Sequence, residues 1–477
     1  MLTYAFELLY AIYEEQGYTP NEIPGLILEN NLYGMEISER AGHLAAFALM
    51  IKAREKDSRF FEKSIEPNIC VFENVKFTNS ELEKYFDAVG KGLFTTEFKK
   101  TLEQFNHAEY YGSLIQPELD NVKFIKVTMK EHKVPQDLFQ HITHKKVLKV
   151  LKYVEYLSPH YHVVVTNPPY MGSGNMSKEI KRFTKEIYQD SYNDLFATFI
   201  ERGTLLVQEN AYLAMITMQS WMFLYSYNKL RKKIIQNYVL AAMAHLGPRA
   251  FDSISGEVVN TTCFILKNTC KLNYQGVFVR LVDGDNENEK KNVLKKAVAA
   301  SSPDISDYYF YATNEDFLKI PRYPIAYWVC EQTIGNFEKY KNLEQITTLD
   351  SGRSTSGRNK ELFRYWYEVS IDQISFNKSS IDEVDKKFLP LNKGGSYRRW
   401  YGNWIFISDK SFCTDNPLEL RKAITWSDIT SGTFSARVHV SGAMANNVGK
   451  RCYPSDEDYY YLLGLLNTKV IQHYLDF

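Results

Sequence analysis

The sequence lacks the features that mark several classes of protein. Its 57 basic and 57 acidic side chains cancel, so no net charge attracts the whole chain to nucleic acid or to a membrane surface. The six cysteines include no Cys-x-x-Cys pair and indicate neither a zinc site nor a disulfide framework. No apolar stretch approaches 18 residues and no signal peptide is recognisable, so we expect neither membrane insertion nor secretion. We therefore predict a cytoplasmic protein without a metal.

The most informative feature that is present is the tetrapeptide Asn167-Pro168-Pro169-Tyr170, which follows the apolar residues 163–166. β-Branched residues predict a buried strand, and two consecutive prolines end it. The Asn167 amide and the Pro168 carbonyl are thus expected at the edge of the sheet where open α/β folds bind ligands. Two such acceptors can each take one hydrogen of an exocyclic amino group, which turns the nitrogen lone pair toward an electrophile. An ordinary turn at a strand end is the competing interpretation.

The motif and its flanks resemble a known family. Residues 163–174 are similar to motif IV of the N6-adenine DNA methyltransferases, with His162 where that family usually has an acid. The stretch through Lys178 resembles the adenine-specific methyltransferases of BREX and phage growth limitation systems, whose layout is similar to that of type IIG restriction-modification enzymes. The resemblance implies a Rossmann-like α/β core, S-adenosyl-L-methionine as cofactor, double-stranded DNA as substrate and other phage-defence proteins as partners.

The resemblance also implies a role for each residue of the motif. Asn167, through its side chain, and Pro168, through its carbonyl, would orient the amino group of a flipped adenine. Pro169 would shape the loop, and Tyr170 would stack on the base, as aromatic side chains do with extruded bases. Phe223, ahead of Trp221, is expected to stack on the same base from the opposite side.

A second candidate site lies near the start of the chain. Residues 32–37 predict a short strand that ends in a carboxylate, and Ser38 can cap the helix that follows. In nucleotide-binding α/β folds an acid at such a strand end binds ribose hydroxyl groups. The resemblance assigns Glu36 to the cofactor ribose and Ile37 to packing on its adenine. A solvated acid that opens a helix is an equally good interpretation of these residues alone.

We predict three regions along the chain. Residues 1–270 form the methyltransferase core, with a helical insertion at about 74–158. Residues 271–342 connect this core to residues 343–477, which form a partial α+β target recognition domain. Strands are predicted at 69–73 and 211–217, and apolar residues at helical spacing in 194–201 predict a helix that packs into the core.

The composition changes after about residue 343, where glycine, serine and aromatic residues alternate with arginines. Glycine permits close approach, cations bind phosphate oxygens or guanine edges, and aromatic rings stack on bases. A structural aromatic cluster with surface arginines is the alternative. The predicted DNA-binding residues are Arg353, Arg358, Lys393, Arg398 and Arg399.

One expected segment is missing from the sequence. Such an enzyme needs a Gly-rich turn after its first strand, so that backbone N–H groups can approach the cofactor closely. No such turn precedes Glu36, and residues 1–6 resemble the helix that follows the turn in the family. We therefore expect a fragment whose first strand and cofactor loop lie upstream of Met1, whose C-terminus is also cut, and which is poorly stable alone.

The sequence thus predicts a site-specific DNA methyltransferase that acts on N6 of adenine. Two alternatives stay open. The missing cofactor loop favours an inactive DNA-binding remnant or subunit. The tetrapeptide also occurs in enzymes that methylate an RNA base or a protein glutamine.

Overall fold

The computed structural model describes residues 1–89, 96–119, 137–158, 161–252, 259–299, 308–413, 416–429 and 432–475. It divides into two compact units, Met1–Leu318 and Lys319–Phe477. Two parts of the predicted helical insertion, 90–95 and 120–136, lie outside the described residues. Within the described ranges, no helix is both long and apolar enough to cross a membrane.

Helices and strands are interspersed along the chain. The helices are α1 (Leu2–Glu15), α2 (Ile23–Leu26), α3 (Glu39–Lys56), α4 (Asn79–Val89), α5 (Thr96–Gln104), α6 (Ala108–Tyr111), α7 (Leu138–Leu157), α8 (Lys178–Ile187), α9 (Leu195–Leu206), α10 (Asn228–Asn237), α11 (Glu287–Ala299), α12 (Asn314–Lys319), α13 (Glu331–Lys339), α14 (Leu343–Ile346), α15 (Asn359–Leu362), α16 (Tyr459–Leu466) and α17 (Lys469–Leu475). The strands are β1 (Tyr33–Glu36), β2 (Asn68–Val71), β3 (Tyr161–Thr166), β4 (Val207–Met218), β5 (Val239–Gly247), β6 (Thr261–Lys267), β7 (Gln275–Arg280), β8 (Tyr309–Thr313), β9 (Thr348–Asp350), β10 (Phe363–Tyr365), β11 (Phe388–Asn392), β12 (Phe406–Asp409), β13 (Ala423–Ser427), β14 (Ala436–His439), β15 (Met444–Ala445) and β16 (Gly449–Tyr453).

The first unit is built on a six-stranded sheet of order β3-β4-β6-β5-β7-β8. β4 is parallel to β3 and antiparallel to β6. Helix α9 packs closely on β4 at Gly203, where a Cβ atom would lie 2.6 Å from Cε of Met215. The strands predicted at 163–166 and 211–217 are confirmed, as is the helix predicted from residue 194. The fold is α/β, as the sequence predicts.

A separate two-stranded parallel sheet pairs β1 with β2 and confirms the strands predicted at 32–37 and 69–73. Helices α1, α2 and α3 contribute to one apolar cluster of this region, which includes Phe6, Ile27 and Leu49. Helices α4, α5 and α7 contribute to another, around Phe98 and Leu151. The described part of the predicted insertion is therefore mainly helical, and it shares its core with Cys70 of β2 and with Phe72.

Strands β1 and β3 each have an open edge. β3 ends the six-stranded sheet and β1 belongs to the two-stranded sheet, so no described strand is hydrogen-bonded between them. Val163 and Val165 of β3 are 57% and 53% exposed, although strands of parallel sheets are normally buried. The rings of Tyr33 and Tyr161, which begin β1 and β3, have centroids 5.9 Å apart. The two strands line a common cleft of about 150 Å³.

The second unit contains two four-stranded sheets, of order β10-β12-β11-β15 and β14-β13-β16-β9. Helix α16 packs on the second of these, and the hydroxyl of Tyr459 donates to the carbonyl of Ala423 at 2.7 Å. The predicted region limits near 270 and 342 stay predictions. The six-stranded sheet itself continues beyond residue 270, because β7 and β8 extend it.

Candidate active site

The predicted motif forms the loop that leaves β3. Asn167 and Pro169 are exposed, Pro168 is buried and Tyr170 is half-buried. The Tyr170 hydroxyl donates to Oδ1 of Asn167 at 3.2 Å and lies 3.4 Å from the carbonyl oxygen of Ile216 in β4. Burial raises the pKa of Tyr170 to about 12, so this hydroxyl keeps its proton at neutral pH. The loop therefore presents the Asn167 amide to solvent in an orientation fixed by Tyr170.

Asp194 fixes the other end of this loop. Its Oδ1 accepts hydrogen bonds from the backbone N–H groups of Met171 at 2.9 Å and Phe196 at 3.2 Å. The second bond caps helix α9, and the carbonyl of Met171 in turn accepts from the N–H of Leu195 at 3.1 Å. Burial raises the pKa of Asp194. One carboxylate thus joins the residue after the motif to the start of a buried helix.

Glu36 ends β1, as predicted. Its Oε1 accepts from the N–H groups of Ile37 at 2.8 Å and Ser38 at 2.9 Å, while its other carboxylate oxygen bonds to no described residue. The predicted cap is confirmed, because Oγ of Ser38 accepts from the N–H of Ala41. Ile37 is 50% exposed. Among the described residues no hydrogen bond joins Glu36 to the Asn167 loop.

The two candidate aromatic residues both lie in the segment after β4 and differ in their exposure. Trp221 is fully buried, with its ring centroid 5.0 Å from that of Phe264, and so offers no face to a ligand. Phe223 is half-buried and lies 6.1 Å from the ring of His245, whose pKa burial lowers to about 4. Its stacking role stays a prediction. Arg231, on helix α10, is buried and donates to the carbonyls of Trp221 and Leu224 at 2.8 and 2.6 Å.

Arg202 lies in the cleft between β1 and β3. It is 4% exposed, and it donates to the carbonyls of Ser113 at 2.7 Å and Leu157 at 2.9 Å. No carboxylate among the described residues pairs with it, and burial lowers its pKa. The cleft therefore combines an apolar strand edge with a buried cation.

The predicted DNA-binding residues of the second unit differ in their surroundings. Arg358, Arg398 and Arg399 are exposed. Lys393 is half-buried, with Nζ 4.6 Å from the ring centroid of Phe406. Arg353 is exposed but donates to the carbonyl of Phe412 at 3.0 Å, so part of its guanidinium is engaged by its own chain. Within the described ranges no three His, Cys, Asp or Glu side chains converge as metal ligands.

Sequence reasoning missed three side chains that organise the site, namely Asp194, Arg202 and Arg231. For Asp194 a signal was present, since an aspartate directly before an apolar helix is a capping residue. For the two arginines the sequence offers no signal, because their acceptors are backbone carbonyls that the fold brings to them.

Comparison with known proteins identifies relatives of the whole chain. Residues 30–251 match the family described as Eco57I restriction-modification methylase. The adenine-specific methyltransferase PglX of Lacticaseibacillus casei (strain Zhang) is 35% identical over 507 residues, covering 100% of this chain and 41% of that protein. The adenine-specific methyltransferase BrxX of Escherichia coli O9:H4 (strain HS) is 33% identical over 510 residues, covering 99% and 41%. The predicted family resemblance is confirmed, and the chain spans about two fifths of these relatives.

A solved structure supports the fold. The type ISP restriction-modification enzyme LlaGI, as a nuclease-deletion mutant in complex with a DNA substrate mimic, aligns with a TM-score of 0.51 and 13% identity. The alignment covers 99% of this chain and 40% of that one.

Proposed function

We propose that this chain, which is related along its whole length to the adenine-specific methyltransferases PglX and BrxX, carries the catalytic core of a DNA methyltransferase. Its reaction transfers a methyl group to N6 of an adenine flipped out of double-stranded DNA, in phage defence or restriction-modification. The observation that carries this proposal is the exposed Asn167 amide, fixed by Tyr170 at the end of β3.

Each residue of the loop has a separate role in this reaction. Oδ1 of Asn167 and the carbonyl of Pro168 accept the two hydrogens of the adenine amino group, and Pro169 keeps the chain out of the sheet. This arrangement would turn the nitrogen lone pair out of conjugation with the ring and toward the methyl group that the bound cofactor would supply. The amino nitrogen would release one proton to solvent after the transfer. Tyr170 and Phe223 hold the base by stacking, which contributes about 1–3 kcal/mol per base.

The cofactor in this proposal is S-adenosyl-L-methionine, which supplies a methyl group on a positively charged sulfur. Glu36 fits its ribose, because one carboxylate oxygen is held by backbone N–H groups while the other has no partner among the described residues. The exposed side chain of Ile37 next to it offers an apolar surface for an adenine ring.

A further parallel strand completes the sheet in this proposal. It lies between β1 and β3 and pairs with both open edges, as the first strand of a Rossmann-like methyltransferase does. The exposed Val163 and Val165 support this position, since such a strand and its turn would cover them. The Gly-rich cofactor loop would follow this strand.

The second unit is the first part of a target recognition domain in this proposal. Arg358, Arg398 and Arg399 are exposed cations able to reach phosphates or guanine edges, and Lys393 supports them from beside Phe406. Arg353 has two roles in this proposal, since it stabilises its own region of the chain and also contacts DNA. We retain the proposed limits, with the core at 1–270, a connecting region at 271–342 and the recognition region from 343.

The test is methyl transfer measured by mass spectrometry of the nucleosides from digested DNA. The proteins are this chain and the longest natural protein that contains it, each incubated with DNA and S-adenosyl-L-methionine. N6-methyl-2′-deoxyadenosine is the expected product, and Asn167→Ala should lower its rate of formation by about 100-fold, as loss of a pre-organised polar group does. Asn273→Ala, at an exposed turn, is the matched control.

Other outcomes distinguish the alternatives. Methylated RNA or a methylated glutamine, without methylated DNA, would favour the second class of enzyme. DNA binding without any saturable binding of S-adenosyl-L-methionine would favour a non-catalytic remnant or subunit. An Asn167→Ala variant that methylates at the parent rate would contradict the role of the loop.

A further inference from the structure

Two arginines are fully buried on one face of the second unit's sheet β14-β13-β16-β9. Thr425 of β13 is paired with Arg437 of β14 on one side and with Arg451 of β16 on the other. Side chains of directly paired residues lie on the same face of a sheet, so both guanidinium groups enter the same layer. Each residue has 0% of its surface exposed.

The two arginines differ in their partners. Arg451 forms ion pairs with Asp350 and Glu419, and its Nη1 also donates to the carbonyl of Glu419 at 2.8 Å. Arg437 meets no carboxylate among the described residues. Its Nη2 lies 3.4 Å from Oγ of Ser427, whereas its Nε and Nη1 are buried and have no acceptor within the described ranges. Arg437 thus lacks the counter-charge that Arg451 has. Burying a cation without a counter-charge is strongly unfavourable.

Arg437 lies at the base of the loop formed by residues 393–403. Ser427, its hydrogen-bond partner, donates to the carbonyl of Gly395 at 3.2 Å. Near the far end of the loop, the backbone of Trp400 pairs with that of Arg437 through an isolated β-bridge. The tip between these ends carries the exposed Arg398 and Arg399. The guanidinium of Arg437 is thus linked through Ser427 to one end of the loop that presents two of the proposed DNA contacts, and its backbone pairs with the other end.

The backbone of this loop has positive φ angles at two glycines and at two other residues. Gly395 and Gly402 have φ of 124° and 130°, in the region that glycine adopts readily. Trp400 and Asn403 have φ of 69° and 65°, and for a bulky side chain such as that of Trp400 this conformation is strained. Movement about the glycines would relieve Trp400 and open the space above Arg437.

We propose that Arg437 is a further phosphate-binding residue of the second unit, covered by the loop 393–403 in the free protein and uncovered when that loop moves aside. The ligand is a phosphate group of the DNA backbone, whose oxygens match the paired N–H donors of a guanidinium. The inference rests on the proposed function, since it adds a contact to the same DNA interface.

Arg437→Met tests this role, because it removes the charge and keeps an apolar side chain. The measurements are the melting temperature of the chain and its affinity for duplex DNA by fluorescence anisotropy over a range of salt concentrations. We expect a melting temperature equal to or above that of the parent, an affinity about tenfold lower, and a slope of log K against log salt reduced by about 0.9. Arg437→Lys should keep the salt slope and lose part of the affinity, because an ammonium group cannot form the paired bonds.

Arg451→Met is the matched control, and its melting temperature should fall because Asp350 and Glu419 lose their cation. A second readout uses inorganic phosphate alone, which should raise the melting temperature of the parent more than that of Arg437→Met, since both share its general salt effect. A lower melting temperature of Arg437→Met with unchanged affinity and slope would overturn the inference. If the parent does not bind DNA, the proposed DNA interface fails, and the phosphate measurement then decides the Arg437 site independently.

Discussion

The hydroxyl of Tyr170 donates a hydrogen bond to the side-chain oxygen of Asn167, 3.2 Å away. The ring proposed to stack on the substrate base therefore also orients the amide proposed to bind its amino group. The same hydroxyl lies near the carbonyl of Ile216 and so relates the loop to the neighbouring strand. Base binding and amine orientation are coupled in one side chain.

Tyr170→Phe separates these two contributions. The variant keeps the ring and loses both contacts of the hydroxyl, so we expect the rate of methyl transfer to fall about tenfold, which corresponds to about 1.4 kcal/mol. DNA affinity should stay at the parent value. Single-turnover methylation and anisotropy measure the two quantities. Tyr170→Ala should lower the affinity as well, and an unchanged rate in Tyr170→Phe would show that the hydroxyl bond has no part in catalysis.

Asp194→Ala removes the carboxylate that holds Met171 and caps helix α9. Loss of a capping side chain costs about 0.5–2 kcal/mol, so the melting temperature should fall, and the methylation rate should fall with it. Asp194→Asn keeps an acceptor oxygen and should recover most of both properties. Calorimetry and single-turnover assays provide the comparison. A destabilised Asp194→Ala variant with the parent rate would indicate that this anchor does not position the catalytic loop.

Local sequence was sufficient to predict β1, β3 and the loop at Asn167, because apolar runs ended by prolines or by an acid need no distant information. The bond from Tyr170 to Asn167 spans only three residues, although the sequence analysis did not predict it. The anchors of the site join residues that are much further apart in the chain. Asp194 is 23 residues from Met171, and Arg202 is 89 residues from Ser113, so their pairing depends on how the helices and sheet assemble. β7 and β8 were missed because they add to a sheet whose other strands precede residue 270.

The buried His245 predicts a dependence of stability on pH. Its pKa is about 4 in the folded chain, mainly through burial, and near 6.5 when unfolded. Below pH 6.5 the unfolded state binds the proton and the folded state does not, so the free energy of unfolding falls as the pH is lowered toward 4. The slope is about 1.4 kcal/mol per pH unit.

His245→Gln isolates this effect. The glutamine has no proton to bind in this range, so the difference between variant and parent should be constant above pH 6.5 and should shift in favour of the variant below it. Chemical denaturation at several pH values supplies the free energies. Parallel curves for the two proteins down to pH 4 would mean that His245 does not contribute to the acid sensitivity.

Substitution of Val163 tests whether another strand covers the open edge of β3. It is 57% exposed, so Val163→Thr should change the melting temperature of this chain very little. Val239→Thr in the buried strand β5, at 1% exposed, is the matched control and should be clearly destabilising. In the longest natural protein that contains the chain, we expect Val163→Thr to be destabilising as well. If the substitution has little effect in both proteins, no strand covers β3.

The open edge of β3 also affects how copies of the chain associate in solution. An apolar strand with unpaired N–H and carbonyl groups is a template for another copy of itself, and such edges drive aggregation. We expect solutions of this chain to form intermolecular β-structure as the concentration rises, seen as amide I infrared absorption at low wavenumber and as binding of thioflavin T. A charged residue in place of Val165 should delay this association by repulsion between neighbouring copies.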